Sequence, residues 1–582
     1  MSFGTPVRNG LSISLLSTTS LSSGRGLRPS LALNFLSGTL DSRITFSRGT
    51  QATLTDSTGK VTYAPNNLLT NSESFEAAVW SKASVTVSSN TTEAPNGTTT
   101  ADTLTATLAN GALQYSVGAS IGNNYIFSIW IKRKTGTGAV SLTNASGTYS
   151  SVAVDSTWQR FYIASSATDT SCRCYIRLAT NGDEIYIWGA QLEQVTYQTT
   201  PGTYVATTSA AYYGPRFDYD PVTLAPRGLL VEEQRTNLLL RSEEFDNASW
   251  TKSRSTITAN ATTSPDGTVD ADKLVEDTTA TATHRVFQQA SKSASSVTRT
   301  FSVYLKAAER TFARVSISDN TEAVTARVDV DLSAGTINTA AVFGGTSISS
   351  PSASISLAGN GWYRVSITAT FDATITNPGA FVFLCSAFGV ISYTGNGTSG
   401  IFVWGAQWED GSFATSYIPT VASQVTRTAD VATITGANFS QWYNQSEGTF
   451  VVEADSGGNV STIPIYRVLS AGSGGDTISL FMYNGSWGGT SRVGSVFQAD
   501  LEVAGTYTAN VPAKTAFAFK ADDFAASVNG SAVLTDTSGT VPTVAALNLG
   551  SGGGSAYLNG HIRSLTYYNT RLPNARLQAL TS

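Results

Sequence analysis

One pattern of residues occurs twice in this chain, and that duplication limits the possible folds more than any other feature. NLLTNSESFEAAVWSKASVTVSSNTTEAPNGTTTADTL (67–104) aligns without a gap to NLLLRSEEFDNASWTKSRSTITANATTSPDGTVDADKL (237–274), and 18 of the 38 paired positions are identical. FSIWIK (127–132) then pairs with FSVYLK (301–306), and TWQRFYI (157–163) with GWYRVSI (361–367). Finally IYIWGAQLE (185–193) pairs with IFVWGAQWE (401–409). The offset grows from 170 to 216, so the second copy is longer by 46 residues inserted between anchors that keep their order. Whatever fold one copy adopts, the other must adopt as well.

Each copy reads as short runs of alternating apolar and polar residues broken by Gly, Asn, Asp, Thr and Pro, with no helical period. That pattern predicts two-sheet β-sandwiches. The whole chain has 582 residues, too many for one core and enough for about three to five domains. Only 13% of residues are charged, and stretches of strong helix formers are few, so an all-β protein is expected. The net charge of −5 and the lack of a basic run argue against nucleic acid as the main partner. No apolar run approaches the ~20 residues needed to span a bilayer, so membrane insertion is not expected. The start, MSFGTPVRNGLSISLLSTTSLSSG, is interrupted by Ser and is not followed by an Ala-x-Ala site, so no cleaved leader is expected.

Reactive groups are sparse. Cys172 and Cys174 are two apart in a strand-like stretch and Cys385 is remote, so no disulfide framework or zinc site is expected. The chain should therefore fold in a reducing cytoplasm. Two histidines, His284 and His561, exclude a multi-His metal site, and no Gly-x-Ser-x-Gly elbow precedes His561. GSGGGS (550–555) lacks the Lys-Ser/Thr of a phosphate loop and reads as a turn. The carboxylates most worth weighing for glycan cleavage are Asp218 and Asp220 in FDYDP and Glu232 and Glu233 in VEEQ, because polysaccharide hydrolases need two at about 5–10 Å.

The ordered set Asn-Leu-Leu…Phe…Trp, Asp-Gly…Ala-Asp-x-Leu, Trp-x-Arg and Trp-Gly-Ala-Gln-x-Glu resembles the carbohydrate-binding-module jelly rolls of tailed-phage fibre and spike proteins. LDSRITFSRGTQATLTDSTGKVTYAPNN (40–67) and YYGPRFDYDPVTLAPRGLLVEEQRTNLL (212–239) resemble two halves of a stretch that is continuous in such proteins. The first jelly roll would then be an insertion between them, and residues near 41–66 and 205–236 should meet in space; two unrelated linkers are the alternative. The region from SQWYNQSEGTFVVEAD to the end resembles a concanavalin A-like (laminin-G-like) sandwich. It includes an Asn529-Gly530 hairpin and a short terminal helix from Pro573 to Leu580.

The expected fold class is thus all-β: tandem duplicated jelly rolls followed by a concanavalin A-like sandwich. The expected division is 1–40 attachment segment, 41–66 connector, 67–204 first jelly roll, 205–236 connector, 237–420 second jelly roll and 421–582 terminal sandwich. Residues 1–40 hold Arg8, Arg25 and Arg28 and no acid, and such a segment either orders on a partner or stays a partly disordered tail.

The resemblance implies a non-catalytic virion protein that binds host surface polysaccharide and docks on other virion proteins through its N-terminus. It also implies a homo-oligomer, a trimer by family analogy, without a cofactor. A structural decoration protein and a capsule depolymerase are the alternatives. Jelly rolls of this kind often carry a structural calcium, for which the shared acids Glu73, Asp102, Glu193, Glu243, Asp272 and Glu409 qualify; ion pairs or caps are the other use for them. Tryptophans shared by the copies, such as Trp80/Trp250 and Trp188/Trp404, are expected in the cores. Sugar-stacking groups are expected in exposed turns that can differ between copies. Trp487, with Tyr483, Asn484 and Arg492, is the first choice, followed by Tyr393, Trp442 and Tyr443; each could instead pack on a neighbouring subunit or domain.

Overall fold

A computed structural model describes residues 28–143, 145, 147–319, 321–457 and 466–582. Arg8 and Arg25, with the rest of 1–27, lie outside the described residues. The described chain is all-β: its helices are Ala437–Ser440, Asn574–Thr581 and one 3-10 turn, Phe35–Ser37.

The strand order of both copies is that of a jelly roll. Numbering the eight principal strands of the first copy along the chain, the sheet orders are one-eight-three-six (101–106, 184–195, 124–135, 159–166) and two-seven-four-five (111–118, 171–178, 140–143, 150–152). The second copy repeats this with 271–276, 400–410, 297–307 and 362–371 in one sheet and 285–289, 379–385, 312–318 and 325–331 in the other. Alternate residues of each strand enter the core; Phe127, Ile129 and Ile131 lie beside Ile185, Ile187 and Leu192 of the neighbouring strand, in a core that also holds Trp80 and Phe75. Between strands three and six the offset steps from 174 to 204, which accounts for 30 of the 46 extra residues in the second copy. They form Thr336–Ile337, Ala341–Phe343 and a new edge strand, Ile348–Leu357.

Trp-Gly-Ala-Gln is kept in both copies for a local reason. Gly189 and Gly405 have φ of +64° and +60° at a bulge, where strand eight slips register against strand three. A Cβ there would lie 3.0 Å from the Trp130 ring or 2.8 Å from the Tyr304 ring. The following glutamine fixes the returning chain: Gln191 accepts from Val205 N–H, and Gln407 from Ile418 N–H.

The terminal sandwich extends well beyond 421–582, which corrects the expected division. Strand 560–568 pairs on one edge with 447–454, and on its other edge with both 226–231 and 31–34. Strand 216–219 continues that sheet, and 45–47 joins the opposite sheet beside 431–435. Leu31, Leu33, Phe35, Leu229 and Val231 are buried in the same core as Phe450, Leu549 and Tyr567. Strands 31–34, 45–47, 216–219 and 226–231, which lie in the stretch assigned to an attachment segment and in both connector halves, are therefore parts of this sandwich. Strands 53–55 and 61–63 instead pair with each other, and Val61 packs against the second jelly roll.

Both jelly rolls are insertions into this one sandwich. The first leaves and returns through a two-stranded neck, Asn66–Asn67 paired with Tyr212–Tyr213. The second does so through Arg235–Asn237 paired with Val425–Arg427. A buried charge network joins the necks. Arg48 Nη1 donates to Asp430 (2.8 Å), and Arg216 donates to Asp430 and to Glu232 (2.6 Å). Arg427 lies 2.7 Å from Glu232, and Ser416 of the second jelly roll donates to the same carboxylate. Burial opposes ionisation of Glu232 and Asp430, but the surrounding guanidinium groups outweigh it and hold both carboxylates below their ordinary range.

Candidate functional site

A cleft of about 580 Å³ lies where the second jelly roll meets the terminal sandwich. That volume is within the range of small-ligand sites. One wall is the edge strand that only the second copy possesses; Ser352 to Ala358 line it together with Arg364, Ser366 and Thr368. This strand pairs with 362–371 on one side, and none of the described strands pairs with its other edge. Pro351 lies in it and Ser350 has φ +50°, devices that keep an edge from recruiting a further strand. The opposite wall is built by the sandwich: Asp218, Arg227, Tyr507, Asn510, Asn559 and His561. The lining is therefore rich in hydroxyls, amides and ionic groups.

His561 is held between two carboxylates, with Nδ1 2.8 Å from Asp455 and Nε2 3.0 Å from Asp218. Burial alone would lower the imidazole, but the carboxylates outweigh it and raise it to about 9. Asp218 also accepts from Thr55 N–H at 2.6 Å. Asp220 caps the Val222–Thr223 turn and pairs with Arg227, so it sits below the usual carboxylate range despite burial. Glu232 belongs to the buried network, and Glu233 pairs with Arg235. The four acids singled out from FDYDP and VEEQ thus each belong to a different ion-pair set.

The acids shared by the two copies tie loops to the fold. Asp102 accepts from Phe75 and Asn90 N–H, and Asp272 from Phe245 and Asn260 N–H. Burial raises both to about 6. Glu193 accepts from Gly202 N–H, and Glu409 from Thr415 N–H and Oγ1. Glu73 and Glu243 each accept from a tyrosine, Tyr204 and Tyr417. Among the described residues no three carboxylate, thiol or imidazole groups converge as metal ligands do. Lys82 and Lys252 do not pair with these acids; Lys82 donates to Glu76 O and Ala77 O, and Lys252 to Asp246 O, Asn247 O and Trp250 O.

The structure redistributes the expected sugar-stacking residues. Trp487 is 1% exposed and packs in the core of the terminal sandwich, because its pairing with Met482 puts it on the inner face. Trp442 and Tyr443 are 6% and 8% exposed and stack with Phe439 and Tyr567 in the same core. None of these three rings is open to a ligand. Tyr393 is half-buried; it donates to Glu276 (2.7 Å), and its ring lies beside buried His284. Asn484 is exposed at a hairpin tip with φ +46°, next to half-buried Tyr483. Arg492 is half-buried with its guanidinium 3.9 Å from the centre of the Phe497 ring. The thiols of Cys172, Cys174 and Cys385 are buried and free, and burial raises Cys385 to about 12.

The cleft itself was not readable from the sequence. Its walls come from segments more than a hundred residues apart, and the single local sign was the inserted segment that became the edge strand.

No protein-family pattern matches this chain, and no curated protein matches it either. Among solved structures it is similar to the N-terminal CBM22-1-CBM22-2 tandem domain of Paenibacillus barcinonensis Xyn10C, at 12% identity over 60% of this chain and 98% of that one, with a TM-score of 0.19. Mouse laminin alpha1 chain domains LG4-5 match at 10% identity over 59% and 89%, with a TM-score of 0.16. Trypanosoma rangeli sialidase matches at 10% identity over 92% and 98%, with a TM-score of 0.20. The fold assignment rests on the strand orders above and not on these likenesses.

Proposed function

We propose that this protein is a non-catalytic glycan-binding adhesin, a fibre or spike of a tailed bacteriophage that holds host surface polysaccharide during adsorption. The observation that carries the binding role is the cleft. It offers unpaired strand-edge peptide groups on one wall and fixed amide, carboxylate and guanidinium groups on the other, a combination suited to the dense hydroxyls of a saccharide. The absence of catalysis is supported by the state of the four FDYDP and VEEQ acids: each is engaged by a cation, an imidazole or a turn, and Asp220 and Glu232 are held low. A glycosidase acid needs its pKa raised. The virion setting is supported by the ordered motif set of the two copies, and weak sites on an oligomer, a trimer by family analogy, would add through multivalency. On this reading the N-terminus docks on other virion proteins.

An array of bacterial surface polysaccharides probed with the intact chain tests the proposal. Retention of at least one polysaccharide without release of reducing ends is expected. Silence across the array would favour a structural decoration protein, and release of reducing ends a depolymerase.

A further inference from the structure

Most half-buried or buried arginines in this chain have an acidic partner: Arg285 with Glu322, Arg299 with Asp410, Arg310 with Glu276, Arg314 with Asp329. Several others do not, and three of these lie at the surface over an aromatic ring with no polar side-chain contact among the described residues. Arg177 lies 3.9 Å from the centre of the Tyr149 ring, Arg327 lies 3.4 Å from that of Phe343, and Arg492 lies 3.9 Å from that of Phe497. Among the described residues none of the three side chains makes a hydrogen bond, or an ion pair within 4.0 Å. Phe343 and Phe497 are themselves 43% and 47% exposed, so the pairs stand at the surface.

The three are distributed one to each sandwich. Arg177 and Arg327 stand between inward-facing neighbours, Ile176 and Leu178 or Ala326 and Val328, and so face outward from the two-seven-four-five sheet of their jelly rolls. Arg492 lies on 486–493 in the seven-stranded sheet of the terminal sandwich. Their surroundings are mixed in charge. Asp329 is neutralised by Arg314 near Arg327, and Asp500 and Arg467 both act on the Arg492 region. A guanidinium laid flat on a ring keeps its planar fork of N–H donors at the edge, fixed in direction and partly desolvated, which matches two oxygens of one anion. The position of Arg177 is taken by Phe383 in the second copy, as the pairings Ala112–Arg177 and Arg285–Phe383 place it. The outer faces have therefore diverged while the cores stayed alike.

We infer that the glycan is anionic, and that its carboxylate or phosphate groups seat on Arg177, Arg327 and Arg492, one on each sandwich. This rests on the glycan-binding reading and names the ligand class.

Calorimetric titration of the intact chain tests it with three probes: hexagalacturonate, the same oligomer with its carboxyls reduced to alcohols, and a glycerol-phosphate-linked oligomer. The expected result is binding of one of the two anionic probes, with the reduced oligomer at least tenfold weaker. Which anionic probe binds distinguishes carboxylate from phosphate. The triple variant R177A/R327A/R492A should lose about tenfold or more with an unchanged melting temperature, since none of these side chains holds the fold, and lysine in the same places should restore part of the loss. Equal binding of the reduced oligomer, full affinity in the triple variant, or indifference of the wild type to both anionic probes would overturn the inference. Array binding confined to neutral polysaccharides would overturn it while leaving the adhesin reading intact. Silence of every polysaccharide would overturn both.

Discussion

Arg48 and Asp430 are 382 residues apart in the chain and 2.8 Å apart in space, with both side chains wholly buried. Between them in sequence lie both jelly rolls. The contact is possible because each insertion returns to its starting point through a paired neck, leaving the sandwich around it continuous.

Asp430 accepts from two arginines, so removing it leaves buried guanidinium groups without their acceptor. Asp430→Ala is expected to lower unfolding free energy by about 3–5 kcal/mol in chemical denaturation. A loss under 1 kcal/mol would mean that the network is dispensable.

His561 predicts a specific pH response. Its folded pKa is raised to about 9 from an ordinary 6.5, so the stabilisation is full below pH 6.5 and lost as pH rises through 9. The shift corresponds to about 3 kcal/mol. Melting temperature measured from pH 6.5 to 9.5 should fall in the wild type and fall less in His561→Gln; parallel curves would remove the imidazole from the account.

The nested architecture predicts how the chain can be cut. A fragment of residues 421–582 lacks strands 31–34, 216–219 and 226–231, which complete its larger sheet and core, and it should show no cooperative melt. Excising the first jelly roll and joining Asn67 to Tyr212 through a short turn should leave a folded protein, because those two residues already pair. Circular dichroism melts of the two products distinguish this arrangement from a simple row of independent domains.

Gly189→Ala places a methyl group against the Trp130 ring at a φ of +64°. Strain at such a position is of order 1–3 kcal/mol, so a drop of several degrees in melting temperature is expected, with Gly405→Ala behaving alike.

Much of the fold was legible because repetition is visible without knowing which strands pair. Two copies with the same anchors in the same order point to one sandwich twice, and Asn529-Gly530 marked its hairpin, where both residues take positive φ. The terminal helix begins one residue later than expected, at Asn574, just after Pro573. Membership of 31–34 and 226–231 in the terminal sandwich was not legible, because strand pairing over hundreds of residues leaves no local mark. Trp487 failed for a related reason. Its flanking glycines suggested an open turn, but which face a strand residue takes depends on register with its partner, and a one-residue change reverses it. The binding cleft depends on both of these long-range facts.

The account turns on saccharide occupying the cleft between the second jelly roll and the terminal sandwich. Ser356 is exposed on the edge-strand wall, so Ser356→Trp should fill space there without disturbing a core. The decisive measurement is the affinity of this variant and of the wild type, both intact and equally stable, for a polysaccharide retained on the array. A loss of about tenfold or more is predicted. Unchanged affinity would contradict the assignment of the cleft.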